Sequence, residues 1–456
     1  MSLDVGDLRA GGADGPDGGD GADPAAADAA SGGTGGAGAD RDGLGRRARR
    51  RAKRATVVTH RWLSLVLGLL LVVVTTTGAA VVYSPEWTRW TNSAAFHVTA
   101  STHPISVTRA MQVVAHAHPG FGAGSVNVYS GLDEVYAADD DKHPGFYGVD
   151  PGTGRITGYV DPDRGVMAFM EQIHECFFTC DDLPGYLAFL DHPMPTLGMA
   201  WLKDVTVASF IIGVLGLLLV LLAVSGIWLW WPSLRRFGSG FAVRFRRGRY
   251  RRDGDLHKVI GIVAVPFLLM WGFTGASFEL HWVSTAWYAV TGGQQQPTVT
   301  FTSRKAPAHT PDITPAQALA AARRVAGRGA VVANLFAPEP GDATGAYEIF
   351  FSRGFDPYRY GSYPGQLEVD VDRHDARRTH VDDLGTAPTL SNKLLDAWGP
   401  SVFHYGQAFN PWVRTIWFCF GLTPLILAVT GLSTWLVRRK TKRRRRRATA
   451  AVPAVP

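Results

Sequence analysis

Two histidines stand at the head of membrane-length apolar runs, and each is followed by the same pattern. The first reads His60-Arg61-Trp62, an apolar run over 63–77, then Gly78-Ala79. The second reads His257-Lys258-Val259, a run over 260–274, then Gly275-Ala276. In both, histidine and glycine are 18 residues apart, with a threonine (Thr77, Thr274) directly before the glycine. An ionisable side chain entering a lipid-spanning helix is costly unless it has a partner or a function. The same one twice, in register, points to a duplicated site that joins two helices.

The elements that must carry these residues are duplicated too. After each run comes a polar stretch of more than a hundred residues and then another apolar run. The run over 205–231 ends Ser225-Gly226-Ile227-Trp228-Leu229-Trp230; the run over 413–437 ends Thr430-Gly431-Leu432-Ser433-Thr434-Trp435. Tryptophan follows glycine by four residues in each, on the same helical face. The chain therefore reads as two copies of one unit, helix–outer domain–helix. Copies inserted in the same orientation are related by an axis along the membrane normal. The fold expected is an α-helical membrane protein, a four-helix transmembrane bundle built from two parallel repeats, each carrying an outer α+β domain.

The spans are placed at 55–84, 205–232, 256–280 and 413–437, the outer domains at 85–204 and 281–412. Each span has about 20 or more mostly apolar residues, enough to cross at 1.5 Å per residue. Basic clusters lie at 46–54, in the link 233–255 and in the tail 438–456. With four spans all three face one side, which the positive-inside rule makes cytoplasmic, with both termini there. The net charge of +7 is thus topological, and clusters that abut spans favour membrane lipid over nucleic acid. Residues 1–45, rich in Gly, Ala and Asp, cannot bury enough surface to fold and read as a disordered tail. The first run is too long and too far from the N-terminus for a signal peptide, and reads as a retained anchor.

Cys176 and Cys180 fall in the first outer segment, where oxidation is permitted, so a local disulfide is expected; thiols near a redox centre are the competing reading. Cys419, inside the fourth span, reads as a small buried apolar residue. The outer segments follow one order. A helix is expected over 107–117, strands over 125–129 and 132–137, then the turn Gly148-Val149-Asp150-Pro151-Gly152-Thr153-Gly154. In the second, a helix over 313–325 with Thr314 as N-cap precedes strands over 347–351 and 366–371 and a turn over 370–375.

A helix followed by strands ending in that turn resembles the PepSY domain, and the whole pattern resembles the PepSY-associated transmembrane proteins, also called iron-regulated membrane proteins. The resemblance is carried by His60-Arg61-Trp62 with Thr77-Gly78, Leu256-His257 with Thr274-Gly275, and His404 with Thr430-Gly431 and Trp435, over residues 55–440. It implies haem-binding inner-membrane reductases of ferric siderophores, although many members have no assigned activity. It also points to a histidine just outside the second and fourth spans. His404 fits, 27 residues before Gly431, but counting back 27 from Gly226 reaches Met199. His174, in Met170-Glu171-Gln172-Ile173-His174-Glu175, is the choice for that ligand, with Met199 and His192 as open alternatives. His281 competes at the outer end of the third span, but Ser84 holds the matching place in the first repeat.

Low-spin haem iron takes two axial ligands from opposite faces, and imidazole is the usual donor. His60 with His257 would clamp one haem at the cytoplasmic level, and His174 with His404 a second at the outer level. Arg61 and Lys258 follow the inner histidines and suit the propionates. No C-x-x-C-H occurs, so both haems would be non-covalent b-type. Two haems divide a hydrocarbon layer about 30 Å thick into shorter electron hops. With no nucleotide or flavin motif, electrons must come from a cytoplasmic partner or a membrane quinol, the basic link being a possible docking surface. The expected function is transmembrane electron transfer to a ferric chelate such as a siderophore in the outer space. The other class of reading is a non-enzymatic PepSY membrane protein that binds or regulates a secreted partner such as a peptidase. A lone interfacial histidine can simply sit hydrated at headgroup level; repeat-matched pairing argues otherwise for these.

Overall fold

The computed structural model describes residues 36–450 apart from 129–130, 139–142, 232–233, 297–299, 308, 360–364 and 384–385. Positions 1–35 of the expected disordered tail, and Tyr129 at the end of an expected strand, lie outside the described residues. The chain divides into two units at Arg54/Ala55, and the second carries the candidate spans from Gly68 onward and the sheet. Helix α1 (Gly36–Val66) begins well before the expected boundary at residue 55, through Arg-, Lys- and Ala-rich sequence that favours helix.

The apolar runs become helices. Helices α6 (Val207–Trp230) and α7 (Arg249–Glu279) are long and apolar enough to cross a bilayer, as is the stretch Pro411–Arg444. The last stretch is α11 (Pro411–Gly421) and α12 (Thr423–Ala450), meeting at Leu422 just before Pro424. The first run is not the single helix expected. Arg47–Val66 and α2 (Gly68–Val81) qualify only as a pair, bent by 65°. Leu67 stays right-handed but is opened to φ −101°, ψ −10°, and Gly68 brings no side chain to hold the turn. These helices make the chain a membrane protein. Where α6 and α7 cross, their backbones touch: a Cβ on Gly216 would stand 2.7 Å from the Gly272 carbonyl, and one on Gly272 2.7 Å from that of Gly216. Small residues permit such close approach in lipid, where apolar burial between helices gives no driving force. Cys419 is exposed on α11, not buried as expected; apolar side chains on the outer side of a span need no protein cover.

Between the spans lie α3 (Ser84–Thr91), α4 (Val107–Ala117), α5 (Gly165–Glu171), α8 (His281–Thr291), α9 (Pro315–Ala326) and the one-turn α10 (Leu390–Asn392). The strands are β1 (Ala123–Asn127), β2 (Asp133–Ala137), β3 (Phe146–Asp150), β4 (Arg155–Val160), β5 (Val331–Phe336), β6 (Ala346–Ser352), β7 (Leu367–Asp372) and β8 (Thr379–Asp383). Two separate outer sheets were expected; the strands instead form one antiparallel sheet, order β4-β3-β2-β1-β5-β6-β7-β8. The halves join where β1 pairs with β5 through Ser125–Phe336, Val126–Leu335 and Asn127–Asn334. Each half alone would leave that edge unpaired, a liability that pairing removes. Register repeats across the join: Val126 faces Val135 and Leu335 faces Ile349, with a bulge just before each (Ala123/Ser125 and Val332/Asn334).

One core serves both halves. Val126, Val135 and Val149 pack with Leu335, Ile349 and Val369 under Ala110 and Val114 of α4 and Ala318 and Ala322 of α9. Full burial of each larger aliphatic contributes about 1.5–3 kcal/mol. Both helices are capped, α9 by the Thr314 its sequence predicts and α4 by Ser106. Ser106 accepts from the Arg109 amide at 3.2 Å, and Thr314 with Gln317 forms a capping box.

The β3–β4 and β7–β8 turns rest on paired aspartates. Asp150 accepts from the amides of Thr99 (3.0 Å) and Gly152 (2.9 Å) and the Thr153 hydroxyl (2.8 Å). Asp372 accepts from the amides of Arg304 (2.8 Å) and His374 (2.9 Å) and from Arg378 (2.9 Å). Burial works to raise both carboxyls, but these donors outweigh it and hold them below the usual carboxylate range. Stability from a depressed carboxyl is present above its unfolded value and lost as pH falls through the folded one. Asp150→Ala should therefore cost about 2 kcal/mol at neutral pH, read from unfolding midpoints in detergent. The gap from wild type should narrow as pH drops below about 4.

On the face away from α4 and α9 the halves differ. In the first, Phe146 and Gly148 lie under Ala95 and Phe96. In the second, Glu348 stands opposite Asp370, and Glu368 opposite Asp382. Burial and the like charges beside them raise Glu368 and Asp370. A raised acid favours the fold below its unfolded value and loses that advantage as pH rises through the folded one. Glu368→Gln should thus raise the melting temperature at pH 8, and the gain should vanish toward pH ~4. An unchanged melting temperature at pH 8 would mean the repulsion is already relieved.

Candidate functional site

Both ends of the bundle bring a histidine from the first half of the chain to one from the second. His60 of α1 and His257 of α7 have ring centroids 6.5 Å apart. His174 and His404 have theirs 6.0 Å apart. All four rings are partly buried. Thr274, beside His404, follows His257 by 17 residues, which sets the two levels roughly 25 Å apart along α7.

Each ring is held by the same device. The Nδ1 of His60 lies 2.8 Å from the Ser225 hydroxyl on α6, and that of His257 lies 3.0 Å from the Leu427 carbonyl and 3.1 Å from the Thr430 hydroxyl on α12. The Nδ1 of His174 lies 2.8 Å from the Val74 carbonyl on α2, and that of His404 lies 2.7 Å from the Thr274 hydroxyl on α7. The acceptors belong to the Ser/Thr-Gly pairs of the sequence or sit one turn before them. The glycines make room. A Cβ on Gly78 would fall 2.3 Å from the His174 ring, one on Gly275 3.4 Å from His404, and one on Gly431 3.4 Å from His257. Gly226 meets nothing within 4 Å. A carbonyl can only accept, so Nδ1 of His174 and of His257 carries the proton. That leaves Nε2 of each as the unprotonated donor atom.

The outer histidines do not stand on spans. His174 belongs to a π-helical turn, Gln172–Cys176, that continues α5, and His404 ends another, Gly399–His404. Such wide turns are frequent at functional sites. After His174 the chain reverses through Phe177 and Phe178, both left-handed at φ 47° and 70°. The Cys176–Cys180 disulfide closes this reversal. Gln172 braces it, donating to the Cys180 carbonyl at 2.6 Å and accepting from the Cys180 amide at 3.2 Å. Glu171 and Glu175 flank the histidine. Burial, then the neighbouring Glu171, pushes Glu175 up to about 7; burial also raises Glu171, against a hydrogen bond from Ser84.

The remaining candidates separate. Met199 and His192 are exposed on the loop before α6, and His281 bonds Gln295 at 2.6 Å. The Arg61 guanidinium keeps its Nε buried without a hydrogen-bond partner, and so does the Thr76 hydroxyl near the outer pair. Lys258 is tied to Asp255 at 3.0 Å. Sequence reading missed the Nδ1 acceptors, Gln172 and the flanking glutamates. The repeated Ser/Thr before glycine was the signal for the acceptors, whereas nothing marked the others.

Two imidazoles on opposite sides of one iron, each through a bond of about 2 Å, have centroids roughly 6 Å apart. Both separations fit. Among the described residues no group of three or more His, Cys, Asp or Glu is placed to cage a metal, so two-fold axial ligation is the metal chemistry these rings suit. Arg61, which follows His60, keeps a buried Nε with no hydrogen-bond partner.

Residues 57–438 match the family described as PepSY-associated TM region. The chain is also similar, 28% identical over 248 residues, to "Uncharacterized protein PA4219" of Pseudomonas aeruginosa. That match takes in 50% of this chain and 59% of the relative. With the family pattern running from before His60 to beyond Trp435, this chain is a member of the PepSY-associated transmembrane family.

Proposed function

We propose that this protein holds two non-covalent b-type haems, His60 with His257 and His174 with His404, and carries electrons across the membrane to a ferric chelate, such as a siderophore, on the outer side. The observation that carries the reading is the pair of histidine contacts at 6.5 and 6.0 Å, each with Nδ1 engaged. In this reading the chain is a four-span bundle of two parallel repeats in the plasma membrane, with the sheet outside and both termini cytoplasmic. Haem, when bound, supplies a one-electron carrier at each level. The residues do the rest. The Nδ1 bonds orient each imidazole and raise its basicity, Arg61 would pair with a propionate, and the apolar spans would keep water away. Electrons would come from a cytoplasmic partner or a quinol.

Haem content tests the ligands first. His60→Ala and His257→Ala should each lose the same half of the haem b difference spectrum, and His174→Ala and His404→Ala the other half. Unchanged haem in all four would remove the reading and leave binding or regulation of a secreted partner in front. With haem present, dithionite-reduced protein given ferric siderophore without oxygen should reoxidise rapidly with ferrous product. A haem that stays reduced with every ferric chelate would point to another acceptor.

The Nδ1 bonds make a separate prediction. Thr274→Val removes the hydroxyl beside His404 while keeping its shape, so outer-site haem affinity should fall roughly tenfold. Thr274→Ser should restore it, and the inner site should not change. Equal affinities for Val and Ser would mean the hydroxyl does not orient the ring.

A further inference from the structure

The link between α6 and α7 folds back on the ends of those helices. Trp230, only 7% exposed, is clasped by a 3-10 stretch, Leu234–Phe241, and its indole donates to the Gly240 carbonyl at 3.2 Å. Phe237 and Phe241 pack edge-on against the same indole, both at 5.3 Å. Beside it lies a cavity of about 330 Å³, lined by Trp230, Ser239, Gly240, Ala242, Arg244 and Lys258.

The charges around this cavity do not cancel. Arg244 bonds Asp255 through Nε and Nη2, both at 2.8 Å, and Lys258 bonds the same carboxylate at 3.0 Å. Two cations thus share one anion, leaving one net positive charge and further N–H donors. Asp253, the other acid nearby, is taken up by Arg249, Arg252 and Ser433. Asp255 holds both cations in place; the Ser239 hydroxyl on the wall donates to the Arg236 carbonyl at 2.7 Å, which leaves Arg244 and Lys258 as the donors toward an anion.

We propose that this cavity binds the phosphate of an anionic phospholipid headgroup. Phosphate is the ligand chemistry that Arg and Lys around a polar wall recognise. The source is argued from depth. The cavity sits at the end of α6 where the apolar run stops, and Trp231, Phe237, Phe241 and Phe245 around it are exposed by 40–65%. Aromatic rings interleaved with arginines mark the membrane–water interface, where lipid phosphates are the anions at hand. The proposal does not need haem to be bound.

Full-length protein in neutral detergent would be titrated with phosphatidylglycerol, phosphatidylcholine or inorganic phosphate while the melting temperature is followed. Phosphatidylglycerol alone should stabilise, since only a ligand of the folded state shifts melting. Arg244→Gln should weaken its apparent affinity about fivefold, and Arg246→Gln, the same charge change on an exposed arginine outside the cavity, should not. Should Arg244→Gln fail to fold, Ser239→Asp puts a carboxylate into the wall and should abolish the effect. Stabilisation by inorganic phosphate at matched concentration would give the site to a soluble phosphate and overturn the lipid assignment. Equal loss in Arg244→Gln and Arg246→Gln, or no preference for phosphatidylglycerol over phosphatidylcholine, would overturn the cavity as the site.

Discussion

Four imidazoles placed between apolar helices constrain everything around them. A polar nitrogen out of reach of water must be hydrogen-bonded or its burial is costly, and here each Nδ1 finds its partner on a helix of its own half of the chain. The bond demands that a ring edge reach within about 3 Å of a neighbouring helix. A short residue leaves room for that, as glycine does after Thr77, Thr274 and Thr430, while Gly226 after Ser225 has open space beside it. At Gly78 the constraint is absolute, since any side chain would overlap His174. The contact between Gly216 and Gly272 applies the same economy to the centre of the bundle. Helix spacing is thus set by what the histidines need.

The sheet is a second solution to a problem of edges. Each half has a helix to cover one face of four strands, but a half alone ends in a bare strand. Joining β1 to β5 removes that edge and merges two small cores into one, so the halves of the chain are tied outside the bundle as well as within it. The symmetry is broken on the other face, where Phe146 and Gly148 of one half answer to Glu368 and Asp370 of the other. A charged face costs the fold stability, and it has no role in the join.

Much of this was legible in the chain because it repeats. The histidine-to-glycine spacing, the Thr314 cap and the aspartate turn each depend on neighbours close in sequence. The join of the sheet was not legible, because alternation describes a strand and not its partner. Nor was the 65° bend at Leu67, where Gly68 alone breaks a run of large apolar residues. Counting back from Gly226 reached Met199 because the loop over 181–205 separates His174 from α6, whereas both outer histidines share a π-turn. Cys419 misled for another reason: a span in lipid has no need to bury its small apolar residues.

The two copies end their outer histidine turns by different means. After His404 the chain reverses at Gly406, left-handed at φ 69°, a conformation that costs glycine nothing. After His174 the same duty falls on Phe177 and Phe178, where a β-carbon makes it unfavourable. Something must offset that cost, and the disulfide and Gln172 are what the structure offers at that point. Phe177 and Phe178 in return pack into the bundle core with Leu71 and Leu190, which a glycine could not do. The first copy therefore trades a free turn for apolar contact and a covalent tie. His174 thus precedes a turn tied by the Cys176–Cys180 disulfide, whereas the turn after His404 rests on a glycine.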